Sequence, residues 1–198
     1  KGSILFVDLE DFLQIKSVAS GHLGPTMLKR LASNQCFVEG LLPEVRKLLF
    51  VRLHPADRGW GSEERWKEFD SNIFVYRGKE SVFRQLNRSR LLIVSYNSTT
   101  HLETLAANFP TLFFWKPDLT ELRASAQELH DSMCSVGVFH ESPESAAEKL
   151  NQIYEDPLGW WLSPEIQKAR KEFCLQYAWT KKNWCSDWKN ELLKIAGK

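Results

Sequence analysis

Short apolar runs alternate along this chain with longer segments in which apolar and polar residues are mixed. The runs are rich in branched side chains, which is typical of strands buried on both faces of a parallel sheet. In the segments between them, apolar residues recur three or four positions apart, which indicates helices. The predicted strands cover residues 4–7, 48–53, 72–76, 91–94, 111–115 and 136–139.

This alternation predicts an α/β fold. About six strands that each lead into a helical segment are the pattern of a Rossmann-like, doubly wound and mostly parallel sheet. From residue 156 onward no further strand is predicted, and two helices over 165–177 and 184–195 form a carboxyl-terminal helical clasp. The predicted domains are therefore a sheet domain, 1–155, and carboxyl-terminal helices that pack on it, 156–198.

Capping residues predict where several helices begin. Ser62 is expected to cap a helix whose first turn carries two glutamates. Ser142 followed by Pro143 predicts the start of another helix, and a further helix is predicted from 119 to about 132.

Helical spacing of the aromatic residues in the clasp favours an aromatic core over a stacking site. Those residues are Phe173, Tyr177, Trp184 and Trp188.

Composition narrows the classes of protein. The 198 residues suit one ordinary domain with a full core, and 43% apolar and 26% charged residues are globular values. A net charge of +1 argues against nucleic acid held by a broad basic surface, and no apolar run approaches the length of a transmembrane segment. The four cysteines are scattered without a C-x-x-C pair, which argues against zinc and favours a reduced, cytoplasmic location.

The strand at 91–94 leads into a candidate ligand-binding turn. Residues 95–100 are small and polar, and the helix predicted after them is stopped by Pro110 before the next strand, so the segment is a βαβ unit. Ligands of open α/β sheets lie beyond the carboxyl ends of the strands, and the amides that open a helix suit a phosphate. The hydroxyls of Ser98, Thr99 and Thr100 add donors. An ordinary helix cap explains the same residues, and both interpretations can hold together.

The strand at 48–53 ends in a second candidate segment. Pro55 ends the ladder and turns His54 out of the strand, while Arg52 and Arg58 offer guanidinium groups suited to phosphate or carboxylate. The alternative is a surface turn whose histidine bonds to its own loop.

Residues 17–25 are predicted as loop, and Gly21-His-Leu-Gly24 lacks the third glycine of a dinucleotide fingerprint, so a nicotinamide cofactor is not expected.

A third strand end offers Arg77 and Gly78. Since successive strand ends lie side by side in this architecture, the Arg52–His54 segment, Arg77 and the turn at 95–100 are predicted to converge on one phosphate. Glu103 lies one helical turn beyond that turn, where a carboxylate can accept the hydroxyls of a ribose. Its alternative is a solvated helix glutamate.

These residues carry a family resemblance. Asn97-Ser-Thr-Thr-His-Leu-Glu103, followed by Leu-Ala-Ala-Asn-Phe-Pro-Thr, resembles the donor-binding turn and helix of GT-B glycosyltransferases, such as the GlcNAc transferase of peptidoglycan synthesis. The resemblance implies that Asn97, Ser98, Thr99 and Thr100 bind the nucleotide phosphate and that Glu103 binds the ribose.

A nearer resemblance is to bacterial transferases found with surface-polysaccharide genes. It extends from Arg52 to the carboxyl-terminal tryptophans and rests on three segments. These are Arg-Leu-His-Pro-Ala-Asp-Arg-Gly-Trp, Tyr-Asn-Ser-Thr-Thr and Gly-Trp-Trp-Leu-Ser-Pro-Glu-Ile-Gln.

Two short motifs also resemble bacterial sialyltransferases. His54-Pro55 is similar to their His-Pro motif, and Ser98-Thr99 to their paired-hydroxyl motif. In those enzymes both contact the phosphate of a CMP-sugar, and the histidine assists the departure of CMP. This implies catalytic roles for His54 and Arg52. The acidic segment 8–11 is only superficially similar to the general-base motif of those enzymes and is left without a role.

The resemblance implies that the chain is the carboxyl-terminal, donor-binding half of a two-domain, metal-independent glycosyltransferase. Its expected partners are a nucleotide-sugar donor, with a nonulosonic acid as cargo, a glycan or lipid-linked acceptor, and an amino-terminal domain absent from this sequence. It would act in polysaccharide biosynthesis, in the cytoplasm or at the inner face of the membrane, without metal or cofactor. The alternatives are a non-hydrolysing nucleotide-sugar epimerase on the same scaffold and a non-catalytic binding module.

Overall fold

The structure is a computed structural model that describes residues 2–10, 13 and 24–197. The described residues form one six-stranded sheet in which every neighbouring pair is parallel, in the order β3-β2-β1-β4-β5-β6. The predicted α/β class and Rossmann-like sheet are confirmed. The strands are β1 (Ser3–Val7), β2 (Leu49–Arg52), β3 (Phe74–Tyr76), β4 (Ser89–Val94), β5 (Thr111–Phe114) and β6 (Phe139–His140).

Helices cover both faces of this sheet because its strands are apolar on both sides. In β1, Ile4 and Phe6 belong to one buried cluster, whereas Leu5 and Val7 belong to the other. The helices are α1 (Gly24–Glu39), α2 (Pro43–Arg46), α3 (Ser62–Phe69), α4 (Val82–Leu86), α5 (Thr99–Ala106), α6 (Ala124–Ser135), α7 (Pro143–Ile153), α8 (Pro157–Trp161), α9 (Pro164–Tyr177) and α10 (Trp184–Ile195).

The strand order fixes where a ligand crevice lies. The chain first winds outward from β1 to β2 and β3, and then returns to the other side of β1 with β4, β5 and β6. The direction of winding therefore reverses between β1 and β4. In open α/β sheets the crevice forms at this switch point, beyond the carboxyl ends of the strands. The turn that follows β4 lies there.

Several predicted boundaries are wrong for local reasons. Ser62 is the first helical residue rather than the cap, since Gly61 occupies the N-cap with a left-handed φ of 58°. The helix predicted at 119 begins at Ala124. The chain first forms a turn, in which the carbonyl of Lys116 accepts from the amides of Leu119 and Thr120. The last strand starts three residues later than predicted. Gly137, at a φ of 70°, and the amide of the next residue end α6 instead.

The start of the first crossover is described only in part. The helix α1 begins at Gly24, so the loop predicted over 17–25 is too long at its end, and residues 17–23 lie outside the described residues. The predicted start of α7 is confirmed. Ser142 is the N-cap, its side chain accepts from the Ser145 amide, and Pro143 is the first helical residue.

The carboxyl-terminal helices differ in how they pack. Phe173 of α9 is buried in the core, as the aromatic-core interpretation predicts. By contrast, α10 buries no residue against the rest of the described chain, and Trp184 and Trp188 are 58% and 63% exposed. Packing on the sheet domain is therefore seen for α8 and α9 and not for α10. Among the described helices, none is both long and apolar enough to cross a membrane.

Trp161 anchors α8 to the sheet. Its side chain is fully buried, and its indole N–H donates to the backbone and side-chain oxygens of Asn108, at 3.1 and 3.0 Å. Replacing Trp161 with phenylalanine keeps most apolar contact but removes both hydrogen bonds, so we expect a loss of about 1–2 kcal/mol in the free energy of unfolding. Urea denaturation measures it. The matched control, Trp184→Phe on the exposed α10, should stay within about 0.5 kcal/mol of the parent. Equal losses would contradict the anchoring role.

Candidate functional site

The carboxyl ends of the strands bring the predicted segments to one edge of the sheet. Val7 pairs with Arg52 on one side and with Val94 on the other. Neighbouring strands are about 4.8 Å apart, so the ends of β2 and β4 are separated by about 10 Å. Along this edge the His54 segment follows β2, the Arg77 segment follows β3, and the turn before α5 follows β4. Their roles in binding a ligand stay predictions.

The turn after β4 caps α5. The Ser98 hydroxyl accepts from the Thr100 amide at 3.3 Å, and the Ser98 amide donates to Nδ1 of His101 at 3.5 Å. The cap interpretation of Ser98 is thus confirmed, and the Ser98 side chain also hydrogen-bonds with Tyr96. Asn97 and Thr99 are exposed, whereas Ser98 and Thr100 are half-buried.

His101 completes this cap as a neutral ring. It is buried and stacks on Phe113, with 5.0 Å between the ring centroids. Burial, with a smaller contribution from His130, lowers the pKa of His101 to about 3. The ring therefore keeps an unprotonated nitrogen at neutral pH and remains an acceptor. His101 had no predicted role; its place three residues after Ser98, in a capping box, is the signal that could have identified it.

Two further polar side chains lie under the same turn. The Ser95 hydroxyl is buried and has no hydrogen-bond partner among the described residues. Tyr96 is also buried, and its hydroxyl lies 3.5 Å from Oγ1 of Thr100. Burial raises the pKa of Tyr96, so the phenol stays protonated and can donate. The switch point therefore combines an open helix start with hydroxyl groups beneath it.

His54 is held by its own loop and by an arginine. Its Nδ1 lies 3.0 Å from the carbonyl oxygen of Ala56, and Nη2 of Arg58 lies 2.8 Å from its Nε2. An arginine can only donate, and donors also face Nδ1: the Ala56 amide lies 3.1 Å from it and Nε of Arg58 lies 3.3 Å from it. Both ring nitrogens therefore lie beside donors, and these contacts assign the ring proton to neither of them. The ring is half-exposed, and the guanidinium of Arg58 places a positive charge beside its Nε2.

The guanidinium of Arg52 is bound by α4 and by the segment before it. Its Nη1 donates to Oε1 of Gln85 at 2.6 Å, and its Nη2 donates to the carbonyl of Glu80 at 2.7 Å. Burial lowers the pKa of Arg52, whose guanidinium also lies over the Tyr76 ring, 5.9 Å from its centroid. These contacts tie the end of β2 to α4 and its approach. The catalytic role of Arg52 stays a prediction.

Arg77 points across the sheet edge. It makes a bidentate salt bridge with Glu10, at 2.6 and 2.7 Å, and Nη1 also donates to the His54 carbonyl at 2.9 Å. At Gly78 a Cβ would lie 2.3 Å from the Tyr76 ring, which gives this glycine a packing reason. Glu103 is exposed on α5, and its role in ribose binding stays a prediction.

Asp8 is a buried acid at the switch point that received no role from the sequence. It follows β1 directly, and its carboxylate accepts from Nδ2 of Asn34 and from Nε1 of Trp66, both at 2.9 Å. Burial raises the pKa of Asp8 to about 6. It joins α1 and α3 to the end of β1. An acid that directly follows an apolar run is the signal that could have identified it.

In 2–10, 13 and 24–197, no group of three or more His, Cys, Asp or Glu side chains could hold a metal ion. Metal independence stays a prediction.

The sheet order and the crevice at its switch point define a Rossmann-like α/β domain. The chain matches the LIC12162 family transferase over residues 1–192, and it belongs to this family. The predicted transferase is therefore confirmed at the level of the family. The likeness to sialyltransferases and the assignment as a carboxyl-terminal donor half stay predictions.

Solved structures with a similar fold include WaaG, a glycosyltransferase involved in lipopolysaccharide biosynthesis, at 16% identity and a TM-score of 0.48 over 91% of this chain and 44% of that one. The trehalose-6-phosphate phosphatase N-terminal domain of Candida albicans is 18% identical with a TM-score of 0.47, over 98% and 43%. Trehalose-6-phosphate synthase OtsA is 10% identical with a TM-score of 0.41, over 91% and 44%. The chain spans less than half of each. No curated protein matches it.

Proposed function

We propose that this chain is the donor-binding part of a GT-B-type glycosyltransferase that uses a nucleotide-sugar. The observation that carries the proposal is the start of α5 at the switch point, on the edge that also carries His54, with only β1 between them. Family membership supports a transferase, and the motifs around His54 and Ser98 support a nucleotide-sugar donor.

In this proposal the donor phosphate lies at the opening amides of α5. The amide of Thr99 and the hydroxyls of Ser98, Thr99 and Thr100 donate to its oxygens, and the positive end of the helix dipole attracts its charge. Asn97 contributes from the turn, and Glu103 accepts the ribose hydroxyls one turn further along α5.

His54 then acts where charge develops. As the bond between sugar and phosphate breaks, negative charge grows on the leaving nucleotide, and a proton or a fixed positive charge nearby stabilises it. Nη2 of Arg58 lies 2.8 Å from Nε2, so His54 can donate to that oxygen only once this guanidinium turns away from Nε2. Arg58 would then supply the neighbouring positive charge. Arg52 contributes as the buried cation at the end of the same strand.

The finer assignments follow the motif resemblance. The likeness of His54-Pro55 and Ser98-Thr99 to sialyltransferases favours a CMP-linked nonulosonic acid as the donor, and a surface glycan or lipid-linked acceptor. The acceptor would bind an amino-terminal domain. An epimerase needs acid and base groups that face the ligand. Asp8 and Glu10 do not supply them, since both are buried and engaged by neighbouring side chains.

A nucleotide panel tests the proposal. Millimolar CMP, UDP, GDP or ADP should raise the thermal midpoint of the chain, and the best of them should stabilise it by about 2.7 kcal/mol at a concentration one hundred times its dissociation constant. Differential scanning fluorimetry measures the shift. No stabilisation by any of the four would overturn the donor-binding role.

A variant with proline at the first position of α5 tests whether the phosphate binds at the start of this helix. Thr99→Pro removes one opening amide and one hydroxyl, yet proline fits this position and the extended backbone of Ser98 suits a following proline. We expect unchanged stability without ligand and a loss of most of the nucleotide response. Ala124→Pro removes the matching amide at the start of α6, without loss of a hydroxyl, and should keep the response. An equal response in both variants would place the phosphate elsewhere.

A further inference from the structure

Arg77 uses its donors on the protein rather than leaving them open to a ligand. It starts at the end of β3 and reaches Glu10, beyond the end of β1, so its guanidinium crosses the end of β2. On the way, Nη1 donates to the carbonyl of His54 at 2.9 Å. We name the Glu10–Arg77 pair the clamp. It spans three neighbouring strand ends and fixes the backbone of the middle one.

Burial distinguishes the clamp from an ordinary surface pair. The Glu10 side chain is fully buried and that of Arg77 is 15% exposed, whereas in the Arg88–Glu80 pair the arginine is 65% exposed. A buried carboxylate requires its partner, because separating the two leaves an uncompensated charge. The clamp therefore stays closed, and Arg77 is a poor candidate for swinging out to a phosphate.

The segment that carries Glu10 also holds Arg58. The amide of Leu13 donates to the carbonyl of Arg58 at 3.1 Å. Arg58 in turn contacts both nitrogens of the His54 ring, with Nε 3.3 Å from Nδ1 and Nη2 2.8 Å from Nε2. The segment after β1 thus reaches the imidazole by two routes: through Arg77 to the backbone of His54, and through Arg58 to its ring.

We propose that Glu10 and Arg77 are positioning residues, which fix the backbone of His54 so that its imidazole faces the donor phosphate. This inference rests on the proposed function of the edge. It differs from the role that the sequence suggests for Arg77, which is direct contact with the phosphate.

The two roles are separated by a cycle of variants. Glu10→Gln and Arg77→Lys keep size and weaken the clamp, and the double variant Glu10→Gln/Arg77→Met removes both charges if a single change prevents folding. Each should weaken binding of the best nucleotide about tenfold by calorimetry, and less than about twofold when His54 is already alanine. Direct contact with the phosphate predicts instead that the loss for Arg77 persists without His54, and that Glu10→Gln strengthens binding. That pattern would overturn the proposal.

A second measurement needs no nucleotide. The chain has five histidines, and the imidazole signals of selectively labelled protein report on each ring. Weakening the clamp should shift the His54 signals and leave those of His140 unchanged. Arg88→Lys, which alters the exposed pair, is the matched control and should leave both unchanged. If the His54 signals do not shift in Glu10→Gln, the positioning role of the clamp is refuted. Absence of any nucleotide binding by the parent, with the His54 shift present, refutes only the proposed function.

Discussion

Replacing His54 with alanine should lower release of the nucleotide from its sugar roughly 100- to 1,000-fold, which is the usual effect of removing one group that stabilises developing charge. Nucleotide binding should weaken only about tenfold, because the opening amides of α5 still bind the phosphate in the variant, so most of the loss lies in turnover. The half-exposed ring makes its bonds within its own loop, so the fold should tolerate the change. The measurement is nucleotide release in the natural protein, from the donor that the nucleotide panel selects.

Two comparisons make that result specific. His54→Gln keeps a polar side chain without a titrating ring and should be nearly as slow as the alanine variant, since an amide cannot transfer a proton. Thermal unfolding of both variants should match the parent within about 1 kcal/mol, as for other changes outside the core. Full turnover by His54→Ala, with folding intact, would remove His54 from the chemistry and favour a non-catalytic binding module.

The sheet was predictable because its strands are buried on both faces. Runs such as 4–7 and 91–94 have no polar side to hide, so composition alone identifies them. Boundaries depended on subtler features. A left-handed glycine at 61 takes the cap from Ser62, and a turn after Lys116 delays α6. The exposure of Trp184 and Trp188 was also beyond reach, since helical spacing shows that a stripe exists and not what covers it.

The location of the candidate site was predictable, while the partners of its side chains were not. Parallel strands share a carboxyl edge, so His54, Arg77 and the Ser98 turn had to lie along it. Arginine is suited equally to phosphate and to carboxylate. Which one Arg77 meets depends on Glu10, 67 residues earlier, and the Arg52 contact with Gln85 spans 33 residues. Such distant contacts leave no periodic signal in the sequence.

Asp8 should make the stability of this protein rise as the pH falls from about 6 to about 4. Burial raises its pKa from 3.8 to about 6, so the folded chain holds a proton that the unfolded chain releases above pH 3.8. This contribution is complete below the unfolded pKa and is lost as the pH rises through the folded pKa. The shift corresponds to about 3 kcal/mol. The free energy of unfolding of the parent, minus that of Asp8→Asn, should grow by most of this amount, about 2.4 kcal/mol, between pH 7 and pH 4 in urea titrations.

Asp70 offers a control of opposite sign. A hydrogen bond from the Asn72 amide is the largest cause that lowers the pKa of Asp70, so its contribution is present at neutral pH and disappears on acidification. The parent minus Asp70→Asn difference should therefore stay nearly level while the Asp8 difference grows, and shrink as the pH falls below the ordinary pKa of 3.8. A flat Asp8 difference would mean that its carboxylate is ionised at no cost at the switch point. The bonds from Asn34 and Trp66 would then fully replace water, and the end of β1 would carry a permanent negative charge facing the proposed phosphate site.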